Sequence, residues 1–370
     1  SSRAWVRLHD ELTAGMKATY TDPGTGESKE IGIEEISSLL RSADRAVRQA
    51  AADTMTAGLE DMEKVIVMTY NTLLADCKTV DEIRGLEFPE KSRHLANELE
   101  KDTVDRVMRL CKEQEELVAR FYRRKRDLLG LDKLTHIDRY APLGESEKEY
   151  SWDEGKQIVL ESFGAFSPSV EARAAEFFDK NWIDAEPRDG KTGGAFCNYN
   201  TADLHPVVLM TYLGKMTDVM TLAHELGHGV HGSFSRDQSE LNFDGTLPLA
   251  ELASIFGEML VFERLVGEAS ESDKLALYAE KVEGVFASVY RQAAMFRFEQ
   301  RCHEWRRSKG ELSADDFRSI WQDEMQAMFG DSVEMGKQHE CWWLYVGHFF
   351  FAPFYVYAYS FGELLTLSIY

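Results

Sequence analysis

The stretch 221-TLAHELGHGVHG-232 carries three histidines, one glutamate and three glycines in twelve residues. Read as a helix, it organises the rest of the chain. Each residue of a helix advances about 100°, so His224 and His228 fall one turn apart on one face. Their imidazoles can converge on a single ion, at about 2.0–2.1 Å per Zn–N bond. Glu225 projects about a quarter turn away, out of that ligand set but within reach of a water beside the ion. Two ligands and one general base are the physical content of the His-Glu-x-x-His spacing. A control lies downstream: His303-Glu304-Trp305-Arg306-Arg307 begins in the same way, fails at the second histidine, and reads as an ordinary helix face.

Zinc in a catalytic site takes three protein ligands and keeps a fourth position for water. His231 returns to the same face seven residues after His224. However, it lies about 10 Å along the axis, at about 1.5 Å rise per residue. Three ligands strung on one straight helix do not close a tetrahedron. The metzincin pattern wants its third histidine ten residues past the first, where this chain has Phe234, so that class is excluded. A carboxylate from another helix remains. The segment 247-LPLAELASIFGEMLVFERL-265 supplies Glu251, which completes a His₂Glu set. Glu258, seven residues on and facing the same way, is expected to orient a histidine by accepting its other ring N–H. The helix around the two glutamates is apolar almost all round, a setting in which carboxylates need partners. Gly227, Gly229 and Gly232 each cost a helix about 0.8–1 kcal/mol relative to Ala. They permit close approach of another backbone, either a partner helix or a substrate.

Working outward, 193-GGAFCNY-199 and 205-HPVVLMTYLG-214 read as two strands joined by NTADL, a small sheet beside the histidine segment. The Gly- and charge-rich run 184–200 begins as a loop. Residues 16–33 alternate about an Asp22-Pro23-Gly24 turn and predict a hairpin. Helical spacing runs through 34–67 and 91–129, the latter ending in RRKRDLLG, a solvated helix end. Two helices are predicted over 152–180, broken near Phe166-Ser167-Pro168-Ser169. From 216 onward the chain reads as helix. The fold class is therefore mainly α with a small sheet. No linker separates independent domains, so 1–370 is read as one domain, with an upstream helical part to about 185 and a metal-binding part beyond. Both ends look cut, as in a fragment of a longer protein.

The 370 residues are 44% hydrophobic and 29% charged, a globular composition, with no apolar run of eighteen or more to span a membrane. A net charge of −22 repels phosphate backbones and argues against nucleic acid. The five cysteines are odd in number and widely spaced, and read as reduced thiols of a cytoplasmic protein. His9, His94, His136, His303 and His339 have no spacing partner and are assigned structural or surface roles; His205, just before Pro206 at the border of the expected cleft, is given no functional role.

HELGHGVHG followed by ELASIFGE resembles the thimet oligopeptidase-type zinc metallopeptidases, and within them the oligoendopeptidase F branch. GGAFC, the run HPVVLMTYLGKMTDVMTLAHELGH, DRAVRQAA, LDKLTHIDRYAPL and HFFFAPFYVYAYSFGELL (348–365) extend the resemblance over nearly the whole chain. It implies a mostly helical fold around a deep channel, with one zinc per chain held by His224, His228 and Glu251, and Glu225 as base. It also implies that His348, Tyr355 and Tyr359 bind substrate and stabilise the tetrahedral intermediate, with Tyr357 a rival donor. The expectation is a zinc endopeptidase on short peptides, its oligomeric state open. A zinc exopeptidase on a related scaffold and a non-catalytic helical peptide-binding module are the alternatives.

Overall fold

The structure, a computed structural model, describes residues 2–144, 148–188, 191 and 194–370. It is mainly helical, as expected. The chain forms two compact units, Ser1–Leu143 with Gly284–Ser360, and Gly144–Glu283 with Phe361–Tyr370. Among the described residues no helix is long and apolar enough to cross a membrane.

The first unit is built on a forty-residue helix, Arg45–Arg84. Asp44 caps its start by accepting the Ala46 amide, and Gly85 ends it at φ 67°, a conformation that suits glycine. The hairpin is present: Lys17–Thr21 pairs antiparallel with Ser28–Gly32. Its turn is fixed by Asp22 Oδ1, which accepts the Gly24 and Thr25 amides at 2.8 and 2.9 Å. Helices Lys101–Glu113 and Glu116–Leu128 follow. After the crossing into the other unit, helices Gln292–Ser308 and Ala314–Phe329 and a 3₁₀ segment Lys337–Tyr345 complete the layer. Aromatic rings fill the core: Tyr70, Phe298, Phe317, Trp343 and Phe349 stand with centroids 4.7–6.3 Å apart.

Two features here depart from the sequence reading. Leu134–Thr135 pairs in parallel with Val333–Glu334, a strand inside the region read as wholly helical. Two-residue strands leave no periodicity to detect. The RRKRDLLG end is not uniformly solvated either. Lys125 is buried, and its ammonium donates to the Arg139 carbonyl at 2.8 Å.

The second unit places helices Trp152–Phe166 and Pro168–Asp179 under the histidine helix, Met216–Ser235, and its partner, Leu247–Glu268. Ser151 and Glu154 form a capping box at the first. The core is Val159, Phe163, Phe177, Val219, Leu222, Leu226 and Val261. Among the described residues the small sheet has three strands, not two. Val207–Leu209 is central, antiparallel to Phe196–Asn198 and parallel to Ile183–Asp184. Gly193, in the predicted first strand, and residues 189, 190 and 192 of the predicted loop lie outside the described residues.

Candidate metal centre

The site begins with two glycines. A Cβ on Gly227 would lie 2.6 Å from the Ala253 carbonyl oxygen and from Ser254 Cα, and one on Gly257 2.8 Å from the Ala223 carbonyl oxygen. The histidine helix and its partner thus touch backbone to backbone, each through the other's glycine. Gly229 and Gly232 meet the rings of Phe177 and Tyr199. All three glycines of the histidine helix face protein neighbours, which answers the choice left open by the sequence.

This contact sets Glu251 against the histidines. Its Oε2 lies 3.7 Å from His224 Nε2 and 3.9 Å from His228 Nε2. Taken together, one ligand atom from each of the three residues lies within 4.8 Å of the others. Donors around a tetrahedral ion at about 2.0–2.1 Å stand about 3.3 Å apart, so a small closure would seat one. Both histidines have their remaining ring nitrogen engaged. His224 Nδ1 donates to Glu258 Oε1 at 2.5 Å, and His228 bonds the Ala250 carbonyl. These bonds fix which nitrogen faces Glu251. Ser254 Oγ donates to the Glu251 backbone carbonyl at 2.9 Å. Glu251 is itself 1% exposed. A buried carboxylate facing two oriented imidazoles is a nitrogen and oxygen donor set that suits zinc.

Glu225 is buried on the same helix. Its carboxylate accepts the backbone amide of Cys197, from strand Phe196–Asn198. Its Oε2 is buried with no hydrogen-bond partner among the described residues. Such an orphaned oxygen is costly unless something meets it. Burial, aided by the charges of Glu251 and Glu258 and opposed by His224, pushes its carboxyl up to about 7. Burial pushes His228 down to about 3, so it stays neutral. Burial acts the same way on His224, but the Glu258 hydrogen bond and neighbouring carboxylates outweigh it and hold it at about 9.

His231 does not join the three; burial lowers it, and the charge of Asp244 acts on it. Glu363, which sequence reading passed over, is buried in this unit. The charges of Lys281, Glu258 and His224 act on it, and burial pushes it up. Its signal was one glutamate in the apolar run SFGELL. Beside it, Gly362 presses on Glu251, since a Cβ there would lie 2.7 Å from the Glu251 Cβ.

In the first unit, His348, Tyr355 and Tyr359 form one cluster. His348 Nε2 lies 3.0 Å from the Tyr359 hydroxyl, and the Tyr355 ring is 5.5 Å from His348 and 5.1 Å from Tyr359. Tyr357 points elsewhere. It is fully buried, its hydroxyl held by Asn97 Nδ2 at 2.8 Å and lying 3.2 Å from His94 Nδ1. The unpaired histidines 9, 94, 136, 303 and 339 are all buried. His205 stacks flat on Trp182 at 3.9 Å.

Residues 38–370 match the model described as Peptidase family M3. The chain is 24% identical, over 94% of its length, to chromosomal oligoendopeptidase F of Lactococcus lactis subsp. cremoris, of which it covers 58%. It is 23% identical over 91% of its length to oligopeptidase PepF of Bacillus subtilis, covering 50% of that protein. The chain thus spans little more than half the length of these relatives. Its fold is similar to that of oligoendopeptidase-F from Enterococcus faecium, with TM-score 0.72 and 19% identity over all of this chain and 60% of that one. It is also similar to PZ peptidase A with inhibitor 2, with TM-score 0.84 and 15% identity over 99% of this chain and 65% of that one.

Proposed function

Because the chain belongs to peptidase family M3, we propose that it is a zinc endopeptidase that hydrolyses internal bonds of short oligopeptides. One zinc per chain is held by His224, His228 and Glu251. When bound, the metal supplies Lewis-acid polarisation of the scissile carbonyl and lowers the pKa of a water towards 7. The observation that carries this reading is the meeting of the two imidazoles with Glu251, and the orphaned Glu225 oxygen on the same helix.

Glu225 takes a proton from the attacking water as its oxygen bonds to the carbonyl carbon, and passes it to the amine as the C–N bond breaks. Among the described residues strand Phe196–Asn198 is an edge of its sheet; Glu225 takes the Cys197 amide, and the proposal leaves the Cys197 carbonyl to pair with an extended peptide backbone. His348, Tyr355 and Tyr359 are the proposed donors to substrate and developing oxyanion, a role worth about 3–4 kcal/mol per donor in comparable hydrolases. The five free cysteines fit a reducing compartment, and a cytoplasmic location is part of the proposal.

The test is hydrolysis of a quenched peptide blocked at both ends, with zinc, with chelator, and in Glu225→Gln. Zinc-dependent cleavage that falls by about 10²–10⁴-fold in Glu225→Gln, with zinc still bound, is expected. Full activity in that variant would rule the mechanism out.

A further inference from the structure

Tyr140 stands among three arginines. The Arg139 guanidinium lies 4.6 Å from its ring centroid and that of Arg41 5.0 Å. Arg291 Nη1 donates to its hydroxyl at 3.0 Å. Like charges gathered on one ring repel each other, and the burial of Arg139 removes water that would screen its charge. Arg139 is 4% exposed, and the Nε atoms of Arg139 and Arg291 are buried without a hydrogen-bond partner among the described residues. Among the described residues, none of the three guanidiniums has a carboxylate within ion-pair distance. Elsewhere in the same unit the contrast is plain. Arg48 meets Asp138, Arg297 meets Glu115 and Glu324, and Arg318 meets Glu63. In a chain of net charge −22, counter-charges were available and are not used here.

Arg291 is also set apart by its backbone. It ends a π-helical turn, Ala287–Arg291, between two α-helical stretches. Such turns insert a residue, re-aim side chains and recur at functional sites. The turn brings Arg291 close enough to His348 for its charge to act on that imidazole.

We propose that Arg41, Arg139 and Arg291, gathered on Tyr140, form a subsite for a carboxylate of the peptide substrate. Planar guanidiniums match a carboxylate through paired hydrogen bonds. The carboxylate is either the peptide's C-terminus or an acidic side chain. This deepens the peptidase reading and rests on it, and adds a preference for anionic peptides in a protein whose overall charge would repel them.

The experiment measures peptide affinity by calorimetry in the Glu225→Gln background, which keeps the peptide intact. The probes are one short neutral-side-chain peptide with a free C-terminus, its C-terminal amide, and the amide with one Gln changed to Glu. The free acid or the Glu peptide should bind about tenfold more tightly than the neutral amide. Which of them does so identifies the source of the carboxylate. That ratio should fall towards one in Arg291→Lys, which keeps the charge but loses the fork, and in the exposed Arg41→Gln, which leaves the core untouched. Equal affinity for all three peptides, or a ratio unmoved by both variants, overturns the subsite. Turnover of the same peptides by the wild-type protein separates the two claims. Cleavage without discrimination defeats the subsite alone; discrimination in binding without cleavage defeats the peptidase reading alone.

Discussion

His224 Nδ1 and Glu258 Oε1 lie 2.5 Å apart, a hydrogen bond that turns the other ring nitrogen of His224 towards Glu251. A ligand oriented in advance binds metal more tightly, because its rotation is not lost on binding. Glu258→Ala is therefore expected to weaken zinc binding by about 10- to 100-fold. Competition titration against a chromophoric chelator measures this, and an unchanged zinc affinity would show that the bond does not orient the ligand.

Gly227 governs the distance between the histidine helix and its partner. An alanine there would press on backbone atoms of Ala253 and Ser254, which cannot rotate away. Gly227→Ala should cost about 1–3 kcal/mol of stability and weaken metal binding with it. Gly267 is the control, exposed near the end of the partner helix, where an added Cβ meets nothing within 4 Å. Gly267→Ala should be neutral or stabilising by up to about 1 kcal/mol. Thermal unfolding of both variants decides it; equal behaviour would remove the packing argument.

Glu299 gives a pH dependence. It is buried, its Oε1 accepts the Phe354 amide at 2.8 Å, and burial pushes its carboxyl up to about 8 from an ordinary 4.5. Between these values the native state holds a proton that the unfolded chain has released. Stability from this group is complete below pH 4.5 and is lost as pH rises towards 8, with a slope of up to about 1.4 kcal/mol per unit. Glu299→Gln keeps an acceptor for Phe354 and removes the titration. Its stability relative to the wild type should improve steadily from pH 5 to 8 in denaturant melts. A constant difference would mean that Glu299 does not titrate in this range.

The centre of the site was legible in the sequence because its parts are local or periodic. His224, Glu225 and His228 follow from helical spacing, and Glu251 and Glu258 from carboxylates in an apolar helix. The hairpin at 16–33 and the break at Ser167-Pro168 were legible for the same reason, since turn chemistry is local. What escaped was long-range. Strand Ile183–Asp184 and the pair Leu134–Thr135 with Val333–Glu334 are too short to carry a pattern. Lys125 is buried because Arg139, fourteen residues on, offers its carbonyl. The gathering of Arg41, Arg139 and Arg291 joins positions up to 250 residues apart, and no spacing rule reaches that far.

The most direct test of the central claim is a zinc-edge anomalous difference map from crystals of the chain grown with zinc. One strong peak per chain is expected, about 2.0–2.2 Å from a ring nitrogen of His224, a ring nitrogen of His228 and a carboxylate oxygen of Glu251. No peak there, or a peak held by other residues while these three stay apart, would contradict it.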